Sequence, residues 1–289
     1  MNIILFGGTG HLGGHIAHEV KRQGHSLTVA VRDPLKARRL SVPCDKVVAC
    51  SFTSASMPDI LKGHDVVISA VGKSLSPSDK STATFEEVDL QINRLILNNA
   101  QENAVKKFVY ISAFHAERYP TIEYFRVHEQ FARELKQSGL DYAIIKPPAL
   151  FSAFDEMISM AMKGFLFNLG KGDKRTNPIY DGDVARIVVS SINQHNEEIE
   201  VGGGKVYSRA EIASIIQQYA APHRKVRTLP APVLKFILPF VRLLNKNTYD
   251  KLVFFAAVAT VDIIAPALGE ADFPEYIRAE VNRQSRSSS

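Results

Sequence analysis

Short apolar runs alternate with longer stretches of helical periodicity over the first half of the chain. The runs at 2–6, 26–31, 46–50, 65–70, 107–112 and 142–145 are rich in Val, Ile and Leu and nearly continuous, as in strands buried on both faces. Between them, 11–23, 57–61, 84–103 and 122–137 repeat apolar residues at the spacing of one helix face. Strands that alternate with helices predict a parallel sheet, and right-handed crossovers place helices on both of its sides. The expected class is therefore α/β, a doubly wound parallel sheet.

The pattern changes after Pro147-Pro148. A helical stretch at 155–163 is followed by a Gly/Lys loop at 170–175, and Asp183 is placed to cap a further helix. A short glycine-rich strand pair is expected over 198–207. Ser208 followed by Glu211 has the spacing of a capping box, and 231–255 reads as helical and apolar on one face. The expected organisation is a first domain over 1–150 and a smaller, mostly helical lobe over 151–289 that does not fold separately. Phe151, Phe154, Met157 and Met160 are placed at the mouth of its pocket.

Composition narrows the classes. The chain has 289 residues, 45% hydrophobic and 22% charged, which excludes a disordered, collagen-like or coiled-coil protein. Lys plus Arg number 35 against 30 Asp plus Glu, and the +5 is spread along the chain, so no nucleic-acid partner is indicated. Cys44 and Cys50 form neither a disulfide framework nor a zinc motif and read as reduced thiols of a cytoplasmic protein. The first apolar run stops at glycines after a strand's length, so no secretory leader is expected. The greasiest stretch, 252–267, is interrupted by Asp262 and Pro266, so no integral membrane segment is expected. The helices at 233–244 and 249–258, with Lys235, Arg242, Lys246 and Lys251, read as cover for a cleft or as a dimer contact ahead of a membrane-surface element; the expected state is monomer or homodimer. His11, His15 and His18 share a helix face but sit where that helix must pack, so no metal is assigned.

Candidate chemistry begins at the end of the first strand. Gly7-Gly8-Thr9-Gly10-His11-Leu12-Gly13 joins it to the first helix. Glycines at 7, 10 and 13 supply a tight turn, a close backbone approach to a pyrophosphate and close helix–strand packing. The helix start then turns free N–H groups toward the phosphates. Gly7, Thr9, Gly10, His11, Leu12 and Gly13 are thus expected to bind a dinucleotide, in a Rossmann-type arrangement. The second strand ends in Val31-Arg32-Asp33-Pro34, which places Arg32 where an NAD site carries a carboxylate for the ribose. A guanidinium suits a 2′-phosphate, with Lys36 and Arg38 close behind, so NADP(H) is the expected cofactor.

The glycine turn, Val-Arg-Asp-Pro after the second strand, Ala70-Val71-Gly72 after the fourth and the stretch from Ser138 to Pro147 together resemble the atypical short-chain dehydrogenase/reductases, nearest to the NmrA-like branch. The likeness extends through Asn177-Pro178-Ile179 and Asp183-Val184-Ala185. It implies a bound nicotinamide dinucleotide, with Ala70, Val71 and Gly72 along the adenine-ribose side and Pro147 near the nicotinamide. Where relatives carry an Asp after the third strand, this chain has Ser51. The resemblance implies no single reaction, since the branch holds both reductases and inactive redox-sensing regulators.

The wider family acts through a Ser after strand five and a Tyr followed four residues on by a Lys. The corresponding residues here are Ser112, Tyr124 and His128. A free phenol titrates near 10, and it needs a nearby cation to work as an acid at neutral pH. An imidazole, with an ordinary value near 6.5 and a shorter reach, does not simply replace the ammonium. Two functions stay open. One is an NADPH-dependent oxidoreductase that reduces a small, largely apolar carbonyl, with Ser112 orienting it and Tyr124 supplying the proton. The other is a catalytically weak NADP(H)-binding sensor that regulates a partner. A sugar-nucleotide substrate is disfavoured, because the lobe shows no basic cluster for a second diphosphate.

Overall fold

The computed structural model describes residues 1–35, 41–52, 60–76 and 78–287. It divides into two compact units: Met1–Lys73, Ala83–Pro147 and Asp181–Glu200 make the first, and Ser74–Thr82, Pro148–Tyr180 and the chain from Val201 onward make the second.

The first unit is built on a seven-stranded sheet. Its strands are β1 (Asn2–Phe6), β2 (Ser26–Val31), β3 (Lys46–Ala49), β4 (Val66–Ser69), β5 (Lys107–Ile111), β6 (Asp141–Lys146) and β7 (Glu197–Glu200). They lie in the order β3-β2-β1-β4-β5-β6-β7, and every neighbouring pair is parallel. This is the doubly wound sheet expected from the alternating runs. Ile3, Ile4, Leu5 and Phe6 of β1 are fully buried, as a central strand covered on both faces requires.

Strand β7 is a seventh, unexpected member. Its sequence, Glu-Glu-Ile-Glu, offers one apolar side chain, Ile199, in register with Ile145 of β6. An edge strand needs little more, and its Glu198 takes charge-assisted bonds from Lys136 (2.7 Å) and from Lys146. The strand pair expected over 198–207 does not form. Gly202–Gly203 instead pairs with Ala267–Gly269, and Tyr207–Ser208 with Arg175–Thr176.

Among the described residues this unit also holds the helices α1 (His11–Arg22), α2 (Ile92–Glu102), α3 (Glu123–Lys136) and α4 (Asp181–Ser190). Leu12, Ile16, Ala17 and Val20 turn the buried face of α1 inward, and α4 packs along it. Asp183 does not cap α4. The helix starts two residues earlier, and Asp183 lies in its first turn, paired with Arg186 at 2.7 Å. A reciprocal Thr84–Glu87 capping pair opens the run that leads to α2. That run begins with a π-helical turn over Glu86–Gln91. The helix expected over 57–61 falls mostly outside the described residues.

In the second unit Phe273 is the hub of an aromatic core. Its ring centroid lies 5.0 Å from that of Phe151 and 5.2 Å from that of Phe154, both edge-on. Phe151 and Phe154 are thus core residues of this unit, and not the pocket-mouth residues expected. They pack with Ile158, Ile212 and Ile216, from helices Asp155–Met162 and Arg209–Ala220. The expected capping box is present, with Ser208 Oγ accepting from Glu211 N–H (3.1 Å) and Glu211 accepting from Ser208 N–H (2.6 Å). The helical stretch expected over 231–255, with helices at 233–244 and 249–258, forms two helices, Ala231–Leu244 and Lys246–Val258, parted at Asn245, whose side chain caps the second. Among the described residues no helix is long and apolar enough to cross a membrane.

Asn177 ties three segments of this unit together. Its amide donates to the carbonyls of Gly203 (3.0 Å) and Ala265 (2.8 Å), and its carbonyl accepts from Ala265 N–H (2.9 Å). A Cβ at Gly202 would lie 2.2 Å from this amide nitrogen, so only glycine admits it. Asn177→Ala strands three buried backbone groups, and it should cost at least about 3 kcal/mol in denaturant unfolding.

Candidate functional site

The strand order reverses between β1 and β4, and ligands of open α/β sheets bind outside the carboxyl ends at such a point. Gly7 sits there with φ +82°, and a Cβ on it would lie 2.4 Å from the Ala70 carbonyl oxygen. A Cβ on Gly13 would fall 2.1 Å from the Gly7 carbonyl oxygen. Both positions therefore need glycine: one lets two strand ends meet, and the other seats α1 directly on the turn. Gly10 N–H donates to Gly7 O (3.0 Å), which closes the turn and leaves Gly10 extended as the residue before the helix. No side chain caps α1 and no acid lies in its first turn, so its leading N–H groups are open to an anion. Thr9 is half-buried and Gly10 and His11 are exposed around this opening, while Leu12 points into the core.

Arg32 lies exposed at the end of β2. The neighbouring Asp33 is turned into its own loop, where Oδ1 accepts from Leu35 N–H at 2.9 Å. Lys36 and Arg38 lie outside the described residues. Ser51, also exposed, follows β3. Ala70, Val71 and Gly72 continue from β4 opposite the glycine turn, with Ala70 N–H still bonded to Phe6 O (3.0 Å). One strand further on, Ser112 follows β5, and Pro147 follows β6. The ladder continues past both strands, through Ser112 N–H to Ile145 O (2.8 Å) and Phe114 N–H to Pro147 O (3.3 Å). The Ser112 hydroxyl is buried and finds no hydrogen-bond partner among the described residues.

Tyr124 and His128 share a face of α3, with ring centroids 4.5 Å apart, edge to face. His128 is 5% exposed and engaged at both ring nitrogens. Its Nδ1 is 2.6 Å from the Tyr110 hydroxyl on β5, and its Nε2 is 3.4 Å from Asp89 Oδ1. Burial pushes the imidazole down to about 4, so it is neutral at physiological pH. Tyr110 is itself buried, its phenol raised well above the ordinary value by burial, and it shares one hydrogen bond with Nδ1, while Nε2 faces Asp89.

Asp89 is the residue that the sequence reading missed. It sits on the π-helical turn, 1% exposed, and its carboxyl accepts from the Lys73 N–H at 3.1 and 3.3 Å. Burial raises it to about 8 against this bond. Asn93 lies one turn on, its amide donating to the Asp89 carbonyl (2.8 Å) and its own carbonyl accepting from Ser69 Oγ (2.5 Å). Two polar residues on the stripe that holds Phe85 and Leu97 were the available signal. Contacts thus run unbroken from Gly7 to Ala70, through Lys73 to Asp89, and on to His128 and Tyr124. Burial first, and the Asp89 charge second, raise the Tyr124 phenol well above its ordinary value.

A glycine cradle at the reversal of a parallel sheet, beside an uncapped helix start, defines a Rossmann-type dinucleotide-binding protein. A family model described as NAD(P)H-binding matches residues 7–195, and the chain belongs to that family. It is similar to the NADH-ubiquinone oxidoreductase 40 kDa subunit of Neurospora crassa, 26% identical over 252 residues, which cover 84% of this chain and 65% of that subunit. It is also similar to the photosystem II assembly factor Ycf39 of Synechocystis, 25% identical over 270 residues, 90% of this chain and 81% of that protein. Among solved structures, the Escherichia coli NADPH-dependent quinone oxidoreductase shares the fold with a TM-score of 0.72 at 18% identity, over 96% of this chain and 99% of that one. The Thermotoga maritima UDP-glucose 4-epimerase does so at 0.76 and 14%, over the whole of both chains.

The pH dependence of stability follows from the buried pair. Asp89 keeps its proton to about 8 when folded, against an ordinary value of 3.8, so its contribution is present at low pH and lost as pH rises through about 8. His128 runs the other way, present above its ordinary 6.5 and lost as pH falls through about 4. The two slopes oppose each other below pH 6.5, and above it only Asp89 acts. Asp89→Asn should therefore gain about 1 kcal/mol on wild type as urea unfolding is moved from near neutral pH to pH 8.

Proposed function

We propose that this protein holds NADP(H) as a binding and regulatory component, with little or no carbonyl-reductase activity of the Tyr–Lys type. The backbone of Gly7, Thr9, Gly10, His11, Leu12 and Gly13 would hold the pyrophosphate, and Arg32 would take the 2′-phosphate in a charge-assisted pair. Ala70, Val71 and Gly72 would line the adenine-ribose side, and Pro147 the nicotinamide end. The dinucleotide, when bound, supplies hydride chemistry.

The observation that carries this reading is the state of His128. Where the resembled family has an ammonium, this chain has a buried, neutral imidazole fixed between Tyr110 and Asp89. Such a group cannot stabilise a phenolate, and Tyr124 keeps its proton far above neutral pH. The names of two relatives, a respiratory-enzyme subunit and an assembly factor, support a role inside or beside larger complexes.

A second reading keeps the reductase, on the strength of the buried and unpartnered Ser112 hydroxyl, which would orient a small, largely apolar carbonyl. A reductase is also among the relatives, the divinyl chlorophyllide a 8-vinyl-reductase of Cucumis sativus at 23% identity.

Calorimetric titration with NADPH and NADH tests the cofactor assignment. NADPH should bind at least about tenfold tighter, roughly 1.4 kcal/mol, and Arg32→Ala should remove that preference. An unchanged preference in the variant would exclude Arg32 as the 2′-phosphate partner. Tyr124→Phe should keep NADPH affinity within about twofold, and any carbonyl turnover should be equally slow in both proteins. A turnover that collapses in Tyr124→Phe would establish the reductase instead.

A further inference from the structure

Helix Ala231–Leu244, in the second unit, carries an apolar face with nothing against it among the described residues. Val233, Phe236, Ile237, Phe240, Leu243 and Leu244 are exposed, and Phe236, Leu243 and Leu244 are 76%, 86% and 87% so. At helical spacing these six residues form one continuous side. Monomeric soluble surfaces seldom leave such a cluster to water. Arg242 projects the other way, its guanidinium 5.6 Å above the ring of Tyr249 on the next helix.

That next helix, Lys246–Val258, is firmly seated. Lys251 donates to Ser76 O (2.7 Å) and pairs with Asp79 (3.2 Å), and Asn247 donates to Thr82 O (2.7 Å). The exposed face is therefore carried on an anchored support rather than on a frayed end.

Charge selects the occupant. Residues 212–249 contain six Lys or Arg and no Asp or Glu. Arg224, Lys225 and Arg227 stand exposed just before the apolar helix, while Lys246, just after it, is paired with Asp250 (2.7 Å). A second copy of the chain, docked face to face by a two-fold axis, would bring Arg224, Lys225 and Arg227 against their own copies. An anionic lipid surface attracts them instead. The helix has 14 residues, about 21 Å, too short to span a hydrocarbon core and suited to lie along its boundary.

We propose that this face docks reversibly on anionic lipid bilayers, with Phe236, Phe240, Leu243 and Leu244 entering the headgroup–acyl boundary and the flanking basic residues on the lipid phosphates. The assignment is independent of the dinucleotide reading.

Sedimentation of the full chain with vesicles tests it. Vesicles of phosphatidylcholine containing phosphatidylglycerol should bind the protein roughly tenfold better than phosphatidylcholine alone, and added salt should weaken the binding. The double variant Phe236→Ser/Phe240→Ser should lose roughly tenfold in partitioning with an unchanged thermal melt, because both side chains are already in water. Arg224→Glu/Lys225→Glu should abolish the preference for the anionic vesicles. Failure to sediment with either vesicle would overturn the proposal, as would equal binding to both. So would a concentration-dependent dimer in analytical ultracentrifugation that Phe236→Ser/Phe240→Ser dissolves, which would assign the face to a second copy.

Discussion

The approach of the Gly7 backbone to the Ala70 carbonyl is the constraint around which the first unit is arranged. Two parallel strands, β1 and β4, run side by side, and their chains leave the sheet on either side of the strand-order reversal. Any side chain at Gly7 would collide with Ala70, and any at Gly13 would lift α1 off the turn. With both positions bare, α1 begins directly at the turn, and no side chain caps its start. The suitability of this edge for an anion is a property of backbone geometry, and the side chains serve chiefly to permit it.

Burial decides the chemistry further along the same edge. Asp89, His128 and Tyr110 are each almost wholly withdrawn from water, and the low dielectric favours the uncharged form of each. The hydrogen bond from the Lys73 N–H pulls Asp89 the other way but does not prevail. Three titratable groups close together thereby become a neutral cluster, in which the bond to Tyr110 holds the ring of His128 beside Tyr124. A lysine in place of His128 would need either a charged partner or an outlet to solvent. The π-helical turn is what carries Asp89 into this cluster, consistent with the frequent use of such turns at functional positions.

The second unit divides its apolar residues in two. Phe151, Phe154 and Phe273 make an aromatic core with edge-on contacts, and Asn177 closes the polar seam beside it. Helix Ala231–Leu244 keeps residues of the same chemical kind on the outside. The amphipathic pattern is similar in both places, and only the presence or absence of a partner surface within the unit separates core from docking face.

Much of the fold was legible in the sequence because it is written in local periodicity. Six of the seven strands, the helix starting at His11, and the Ser208–Glu211 box each follow from short-range spacing. The glycine turn was legible for the same reason, since the turn, the helix start and the strand before it are contiguous. What stayed hidden depended on distant neighbours. Strand β7 has one apolar residue and exists through pairing with β6 and the lysines that reach Glu198. Phe151 and Phe154 differ from pocket residues only in having Phe273 folded against them. Asp89 and His128 lie 39 positions apart, and nothing at either position announces the other. The sequence by itself thus determined the parallel α/β sheet and the dinucleotide turn, through propensity and backbone geometry. Tertiary structure alone decided which titratable groups are buried together, and hence that the ring beside Tyr124 is neutral, because desolvation depends on every element packed around a group.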